Sequence, residues 1–201
     1  EARGEYLLFL NNDVEIITES WLEEMLQLCQ QKDVGMVGAK LYYPDDTIQH
    51  AGVVVGLGGV AAHVLCKLPR DAEGYMGRLR CVQEISAVTA ACMMVKTSVF
   101  KAVGGFDEEL KVAFNDIDLC MKVRKYGVKI VFTPYAELYH YESKSRGMED
   151  TPEKQLRFSR EVNCFRRKWE RELLKGDPYY NPNLTLNNTD CSLRKQEKNG
   201  D

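Results

Sequence analysis

Residues Tyr6–Glu15 read YLLFLNNDVE, and the interpretation of the whole chain starts from this stretch. Its first half, Tyr6–Leu10, is almost wholly apolar, which is typical of a buried strand in a parallel sheet covered on both faces. The strand is followed by Asn11, Asn12 and Asp13, whose side chains all offer oxygen. Because ligands gather at the carboxyl ends of strands in open α/β sheets, we predict a binding site there. An Asx-rich turn without a ligand is the alternative, since Asn and Asp are common turn residues.

The composition indicates an ordinary globular domain. The 201 residues are enough for one sizeable core, and the net charge of −3 gives no basic field, so we expect no nucleic-acid partner. The longest mostly apolar stretch, residues 53–65, is too short and too rich in glycine to span a bilayer. The opening EARGEY has no signal-peptide core. Seven cysteines without a C-x-x-C pair favour reduced thiols and a cytoplasmic location.

Apolar residues at helical spacing predict three helices. The first begins with a capping box formed by Ser20 and Glu23, and the second ends at Gly127. These helices are Ser20–Lys32, Asp116–Tyr126 and Thr151–Leu174. A further short helix is predicted over Thr97–Val103, where the pair Gly104-Gly105 signals its end.

Apolar runs between these helices predict strands, and the alternation indicates an α/β fold. The strands are Val34–Tyr43, Ile48–Val55, Ile85–Lys96, Val128–Phe132 and Tyr135–Tyr141. We predict that residues 1–175 form one domain. Residues 176–201 are Asn-rich and then charged, so we expect a polar, poorly ordered tail.

Three polar groups fall at strand ends or at a helix start: residues 11–13, residues 115–118 and His140. Carboxylate and amide oxygens suit Mg²⁺, and a histidine nitrogen shifts the preference toward Mn²⁺. A substrate diphosphate would supply the remaining ligands. Capping and the helix dipole give an alternative explanation for Asp116 and Asp118. Arg146 lies in a basic turn that would suit a phosphate or face solvent.

Four segments, taken in order, resemble family-2 nucleotide-sugar glycosyltransferases with the GT-A fold. They are GEYLLFLNND, SAVTAACMMVKTSVFKAVGGFDE, FNDIDLCMKVRKYG and PYAELYHYESKSRG. Within the family, TIQHAGVV, NDIDLC and HYESKSRG look most like the rhamnosyltransferase-type branch that builds bacterial surface polysaccharides.

The resemblance implies a role for each matching position. Asp13 would contact a metal that bridges the donor diphosphate, His140 would be a second metal ligand, and Asp116 would be the general base. Asn11, Asn12 and Asn115 stand where the family usually has acidic residues, which bears on metal affinity. Asn11, Asn12 and Arg146 would contact the donor, and the sugar or acceptor pocket would be lined by Ala90, Ala91, Cys92, Asn115 and Asp118.

The resemblance also implies a fold and a reaction. The fold is a mixed, Rossmann-like sheet flanked by helices, without the N-terminal nucleotide-binding strands. The chain is then a piece of a longer domain, or a homodimer in which a second chain supplies the missing strands.

The implied reaction is an inverting transfer of one sugar from a UDP- or dTDP-sugar to a saccharide or lipid-linked saccharide, in the cytoplasm or at the inner membrane face. The alternative, from another functional class, is a catalytically incompetent remnant that binds a saccharide or a partner.

Overall fold

A mixed β-sheet is the centre of the molecule. The computed structural model describes residues 2–141 and 151–195, and this part contains nine strands and five helices. The strands are β1 (Tyr6–Leu10), β2 (Val14–Ile16), β3 (Val34–Tyr42), β4 (Ile48–His50), β5 (Val53–Val55), β6 (Ala61–His63), β7 (Gln83–Glu84), β8 (Cys92–Lys96) and β9 (Lys129–His140). The helices are α1 (Trp21–Cys29), α2 (Thr97–Ala102), α3 (Asn115–Tyr126), α4 (Pro152–Lys168) and α5 (Glu170–Lys175).

The order of the strands confirms the mixed α/β fold. Five strands run in the order β1-β8-β3-β9-β2, with β4 beside β3 and β7 beside β9. Strands β3 and β9 are parallel, whereas β8 is antiparallel to both of its neighbours and β2 is antiparallel to β9. Strands β5 and β6 form a separate hairpin. The two strands predicted over residues 128–141 are one continuous strand, β9.

Strand β1 does not lie where its sequence suggested. In the described part of the chain it pairs with β8 alone, antiparallel and at the edge of the sheet. Its side chains are only partly covered, and Leu8 and Leu10 are 37% and 41% exposed. The prediction of a strand buried on both faces in a parallel sheet is therefore wrong. An apolar run indicates burial, but it does not tell which strands will flank it.

The fully buried strand is β3. Successive residues point to opposite faces of the sheet, so Met36 packs in the larger core with α3, while Val37 packs beneath α1. Gly38 is required by this packing, because a Cβ atom there would lie 2.3 Å from the Val88 side chain. The sheet is thus covered on both faces, as α/β folds require.

The predicted helices are present with different bounds. Helix α1 is shorter than expected, and Ser20 makes no side-chain cap hydrogen bond, so the predicted capping box is wrong. Helix α3 ends at Gly127, which adopts the left-handed conformation at φ 97° as the sequence indicated. The long third helix is divided at Trp169 into α4 and α5.

The segment after α5 packs onto the domain. Residues 176–195 contribute four buried side chains, those of Tyr180, Leu184, Thr185 and Cys191. The backbone is fixed as well, since Leu65 donates from its N–H to the carbonyl of Thr189 at 2.6 Å. Residues 176–195 thus pack against the domain, whereas the sequence predicts a poorly ordered tail. The scattered apolar residues of this segment have no periodicity, and they are buried by contacts with distant loops.

Candidate functional site

The pairing of β2 with β9 brings Asp13 and His140 together. Val14 is opposite His140 in the register, and Tyr141 donates from its N–H to the carbonyl of Asp13 at 2.9 Å. The carboxylate Oδ1 of Asp13 lies 3.3 Å from Nε2 of His140. The side-chain amide nitrogen of Asn11 lies 3.0 Å from the same Nε2. Two distant polar positions of the sequence therefore form one cluster at the carboxyl end of β1.

Gln49 determines which nitrogen of His140 carries the hydrogen. The amide oxygen of Gln49 lies 2.7 Å from Nδ1 of His140, and its amide nitrogen donates to the His140 carbonyl at 3.2 Å. Because the amide oxygen only accepts, Nδ1 is the protonated nitrogen. Nε2 then presents its lone pair to Asn11 and Asp13. A second partner that orients a histidine in this way is typical of metal-ligating histidines. We call Asn11, Asp13, Gln49 and His140 the His140 cluster.

The His140 cluster fits a divalent cation. The Asp13 carboxylate oxygen and Nε2 of His140 lie 3.3 Å apart. Two ligands of one ion, at bond lengths of about 2.1 Å, lie about 3 Å apart. In the described part of the chain no group of three or more His, Cys, Asp or Glu side chains forms a metal site. Substrate oxygens would therefore have to complete the coordination of a Mn²⁺ or Mg²⁺ ion held by Asp13 and His140.

Asp116 lies in the first turn of α3. Phe114, the N-cap residue, adopts a left-handed conformation at φ 62°, and this turn directs the helix start toward residues 89–91. The Asp116 carboxylate accepts hydrogen bonds from the N–H groups of Ala90 at 3.1 Å and Ile117 at 2.8 Å. Asn115 supports the same turn, because its side-chain oxygen accepts from the Asp116 N–H at 2.7 Å. The carboxylate is half-buried and held in one place.

Residues 90 and 91 connect Asp116 with the His140 cluster. The N–H of Ala90 binds the Asp116 carboxylate, and the carbonyl of Ala91 accepts from the N–H of Asn11 at 3.0 Å. The loop before β8 therefore lies between the end of β1 and the start of α3. Its side chains are methyl groups, which leave space at this position.

Two predicted pocket residues lie elsewhere. Cys92 is buried on the α1 side of the sheet, where its Sγ contacts the sulfur of Met25 at 3.8 Å, and burial raises the pKa of its thiol to about 12. Asp118 is 0% exposed. Cys92 follows Ala91 at the start of a strand, where side chains alternate between the two faces of the sheet, and its side chain points into the core. Asp118 follows Asp116 by two residues on a helix, and the turn of the helix directs its side chain into the core.

Asp118 is the centre of a second polar group, which we call the Asp118 cluster. Its carboxylate accepts from the indole N–H of Trp169 at 2.8 Å, and it pairs with Lys168 at 2.7 Å and with Lys122 at 3.3 Å. Burial alone would lower the pKa of Lys168, but hydrogen bonds to Asp107 and Asp118 outweigh burial and raise it. The cluster joins α3 to the end of α4.

The other predicted positions have varied surroundings. Asn12 is exposed beside the His140 cluster, Ala90 is half-buried, and Ala91 is buried. Arg146 lies outside the described residues.

Two residues that support the candidate site were assigned no role in the sequence analysis. Gln49 is one, although it stands within TIQHAGVV. Glu161 is the other: its buried carboxylate accepts from the N–H groups of Lys111, Val112 and Ala113 at 2.9 to 3.1 Å. It thereby holds the loop that leads into α3. Their partners are 48 to 91 residues away, so local sequence patterns carry no signal for these contacts.

The sequence matches a known family model, and the relatives are much longer proteins. Residues 1–161 match the model described as "Glycosyltransferase like family". An uncharacterised protein of Sinorhizobium fredii is 56% identical over 96% of the chain. The O-antigen biosynthesis protein RfbC of Myxococcus xanthus is 41% identical over 100% of the chain. The chain spans only 21% and 16% of the length of these two proteins.

A third relative is matched over a short region. The N-acetylglucosaminyl-diphospho-decaprenol L-rhamnosyltransferase of Mycobacterium tuberculosis is 36% identical over 31% of the chain, and the match covers 20% of that protein. This relative agrees with the rhamnosyltransferase-type resemblance of the sequence.

Two solved structures have the same fold. One is GalNAc-T7 with UDP, GalNAc and Mn²⁺, with a TM-score of 0.57 and 14% identity over 85% of this chain and 33% of that chain. The other is the mannosyltransferase PcManGT of Pyrobaculum calidifontis in complex with GDP-Man and Mn²⁺, with a TM-score of 0.52 and 15% identity over 85% of this chain and 40% of that chain. Their fold confirms the GT-A-type sheet. In residues 2–141 and 151–195, no helix is both long and apolar enough to cross a membrane.

Proposed function

We propose that this chain, which belongs to the glycosyltransferase-like family, is the metal- and acceptor-binding part of an inverting sugar transferase. The enzyme would transfer one sugar from a nucleotide-diphosphate sugar to a hydroxyl of a saccharide. The observation that carries the proposal is the His140 cluster. Its unprotonated Nε2 and the carboxylate of Asp13 face each other at 3.3 Å, with a hydrogen-bonded amide behind the ring.

The chemistry of the transfer requires two kinds of groups. Displacement at an anomeric carbon needs a base on the acceptor side and charge neutralisation on the departing diphosphate. A bound cation would neutralise the diphosphate, and Asp13 and His140 would hold it. Asp116 would remove the proton from the acceptor hydroxyl, because its carboxylate is fixed by Ala90 and by its own helix turn.

The biological setting is proposed from the relatives. The O-antigen biosynthesis protein and the rhamnosyltransferase support a role in bacterial surface polysaccharides. A UDP- or dTDP-sugar as the donor is a proposal from the family resemblance. The acceptor would be a saccharide or a lipid-linked saccharide at the inner face of the membrane. Assembly as a homodimer is a further proposal.

Binding of the metal and nucleotide tests the proposal. The intact protein that carries this chain is titrated calorimetrically with UDP, dTDP or GDP, with Mn²⁺ and with EDTA. We expect one of the three nucleotides to bind only with Mn²⁺. Asp13→Ala should remove this binding, because the ion would lose its one carboxylate ligand from the cluster. The matched control is Asp71→Ala, which changes an exposed aspartate.

The outcomes separate the candidate functions. Mn²⁺-dependent binding that survives in Asp13→Ala would overturn the assignment of the metal site. Binding that is lost in Asp13→Ala, together with sugar transfer by the wild type, supports the transferase. Binding without any transfer would favour the alternative of a saccharide-binding remnant.

A further inference from the structure

A cavity adjoins the His140 cluster, and the proposed chemistry does not use it. Its volume is about 300 Å³, and its lining includes Tyr43, Gln49, His63, Thr89, His140 and Thr189. A water molecule occupies about 30 Å³ of liquid, so the space is much larger than a hydration site. It is at the lower end of the range of about 300–1,000 Å³ for small-molecule sites. This size suits one ring better than a whole nucleotide.

The wall of the cavity is mostly apolar, and the polar groups that line it carry almost no charge. Among the described residues that line it there is no Lys, Arg, Asp or Glu. Hydroxyl, amide and imidazole groups both donate and accept hydrogen bonds, as the hydroxyls of a sugar require. A phosphate would instead need cationic side chains or a helix N-terminus. The cavity therefore suits an uncharged ligand that combines an apolar face with a few hydroxyl groups, as a sugar ring does.

The three histidines of the chain all lie at this cavity. His63 and His140 line it, and His50 lies behind His63 with their Nδ1 atoms 3.1 Å apart. His50 is fully buried, and burial, followed by the neighbouring His63 and His140, holds its pKa well below 6.5. A neutral His50 can share one hydrogen with Nδ1 of His63. The contact fixes the His63 ring, which is oriented before any ligand binds.

The C-terminal segment completes the cavity. Thr189 reaches it because Leu65 binds the Thr189 carbonyl, and Gly58 binds the Leu186 carbonyl at 2.8 Å. Side chains from five separate regions of the chain thus meet around one space. This convergence is typical of a formed binding site rather than a packing defect.

We propose that this cavity binds a single sugar ring through its hydroxyls, with His63 and Thr189 as specificity-determining residues. The inference rests on the proposed transferase function. His140 lines the cavity and contacts Asp13, and Thr89, which also lines the cavity, precedes Ala90, whose N–H holds the Asp116 carboxylate. The ring would therefore lie beside the reacting groups, and it belongs either to the donor or to the acceptor.

Direct binding of free sugars tests this inference. The intact protein is titrated with mannose, rhamnose and N-acetylgalactosamine, and binding is followed by saturation-transfer NMR. We expect at least one of them to bind. Thr189→Val keeps the size of the side chain but removes its hydroxyl, and His63→Leu removes the imidazole. Each should raise the Kd about tenfold, because each removes a hydrogen-bonding group from the cavity wall. The control is Asn188→Ala, an exposed neighbour that should leave the Kd unchanged.

A competition experiment identifies the source of the ring. If GDP-mannose or another nucleotide sugar displaces the free sugar while the nucleoside diphosphate does not, the ring is that of the donor. If the nucleotide sugar and the free sugar bind at the same time, the ring is that of the acceptor.

The results distinguish this inference from the proposed function. No binding of any of the three sugars, or equal binding by wild type and Thr189→Val, would overturn the sugar site. If Mn²⁺-dependent nucleotide binding persists in the same samples, the transferase proposal stands without the sugar site. Sugar binding without metal-dependent nucleotide binding would overturn the transferase proposal alone.

Discussion

The Asp118 cluster and the His140 cluster are both buried and polar, but they balance their charges differently. In the Asp118 cluster the carboxylate accepts a hydrogen bond from an indole N–H and pairs with two ammonium groups. In the His140 cluster a carboxylate faces an unprotonated imidazole nitrogen, next to a cavity. A buried carboxylate paired with two ammonium groups serves the fold, whereas the Asp13 carboxylate lies beside a cavity, where we propose that a metal ion binds.

The contrast is sharpest between two residues on one helix. Asp116 and Asp118 are separated by a single residue in the first turn of α3. A helix rotates about 100° per residue, so the side chains of two residues that are two positions apart point in widely different directions. Asp116 contacts the loop at the candidate site, and Asp118 contacts α4 and Trp169. The same residue type should therefore give opposite phenotypes at the two positions.

The largest effect is expected for Asp116→Asn. Loss of a general base lowers the rate of transfer by about 10²- to 10⁴-fold. The free energy of unfolding should fall by only about 1 kcal/mol, because the amide oxygen of asparagine still accepts from one of the two N–H groups of Ala90 and Ile117, while its amide nitrogen faces the other. The measurement is the turnover of the intact protein, with urea unfolding of the same sample. Turnover close to that of the wild type would remove Asp116 from the role of base.

The second largest effect is expected for Asp118→Asn. The substitution keeps the shape of the side chain, but leaves Lys168 and Lys122 without a buried counter-charge. Breaking a buried ion pair costs about 3–5 kcal/mol, and partial exposure of Lys168 reduces this to about 3 kcal/mol. The free energy of unfolding, measured in urea, should decrease accordingly. Unchanged stability together with lost transfer would instead place Asp118 in the active site.

A smaller effect is expected for Glu161→Gln. The Glu161 carboxylate accepts three backbone N–H groups, and the amide nitrogen of glutamine would face one of them. Hydrogen bonds to charged groups are worth about 1.5–3 kcal/mol, so the free energy of unfolding should fall by about 2 kcal/mol. Transfer should also fall, since the held loop leads to Phe114 and Asp116.

The control for Glu161 is Glu153→Gln, which changes an exposed residue in the first turn of the same helix. Equal stability of the Glu161 and Glu153 variants would mean that the three hydrogen bonds do not hold the loop.

The sequence predicted the parts of the site that depend on local patterns. The end of an apolar run located Asp13, and helical spacing located the start of α3. The association of Asp13 with His140 was implied by the resemblance, because nothing local in the sequence joins the two residues. The sequence could not predict that β1 lies at the sheet edge, that Asp118 contacts a tryptophan 51 residues away, or that Thr189 reaches a cavity. These features depend on strand pairing and long-range packing, which hydrophobic periodicity does not encode.

The smallest effect is expected for the pH dependence of the free energy of unfolding that arises from His50, which lies behind the cavity wall. Burial, followed by the nearby imidazoles of His63 and His140, holds the pKa of His50 well below 6.5. Below pH 6.5 the unfolded chain therefore binds a proton at this position, and the folded protein does not. The free energy of unfolding should decrease as the pH falls from 6.5 to 5, by at most about 1.4 kcal/mol per pH unit.

His50→Gln tests this prediction because glutamine remains neutral over the whole range. Urea unfolding of both proteins at several pH values, in EDTA, gives the difference in slope. The variant should lose less stability on acidification, although it is less stable at pH 7 because its packing against His63 is disturbed. The two slopes must differ if His50 is neutral in the folded protein. Parallel slopes would mean that His50 takes up its proton without unfolding, and the cavity wall would then be charged at pH 5 rather than neutral.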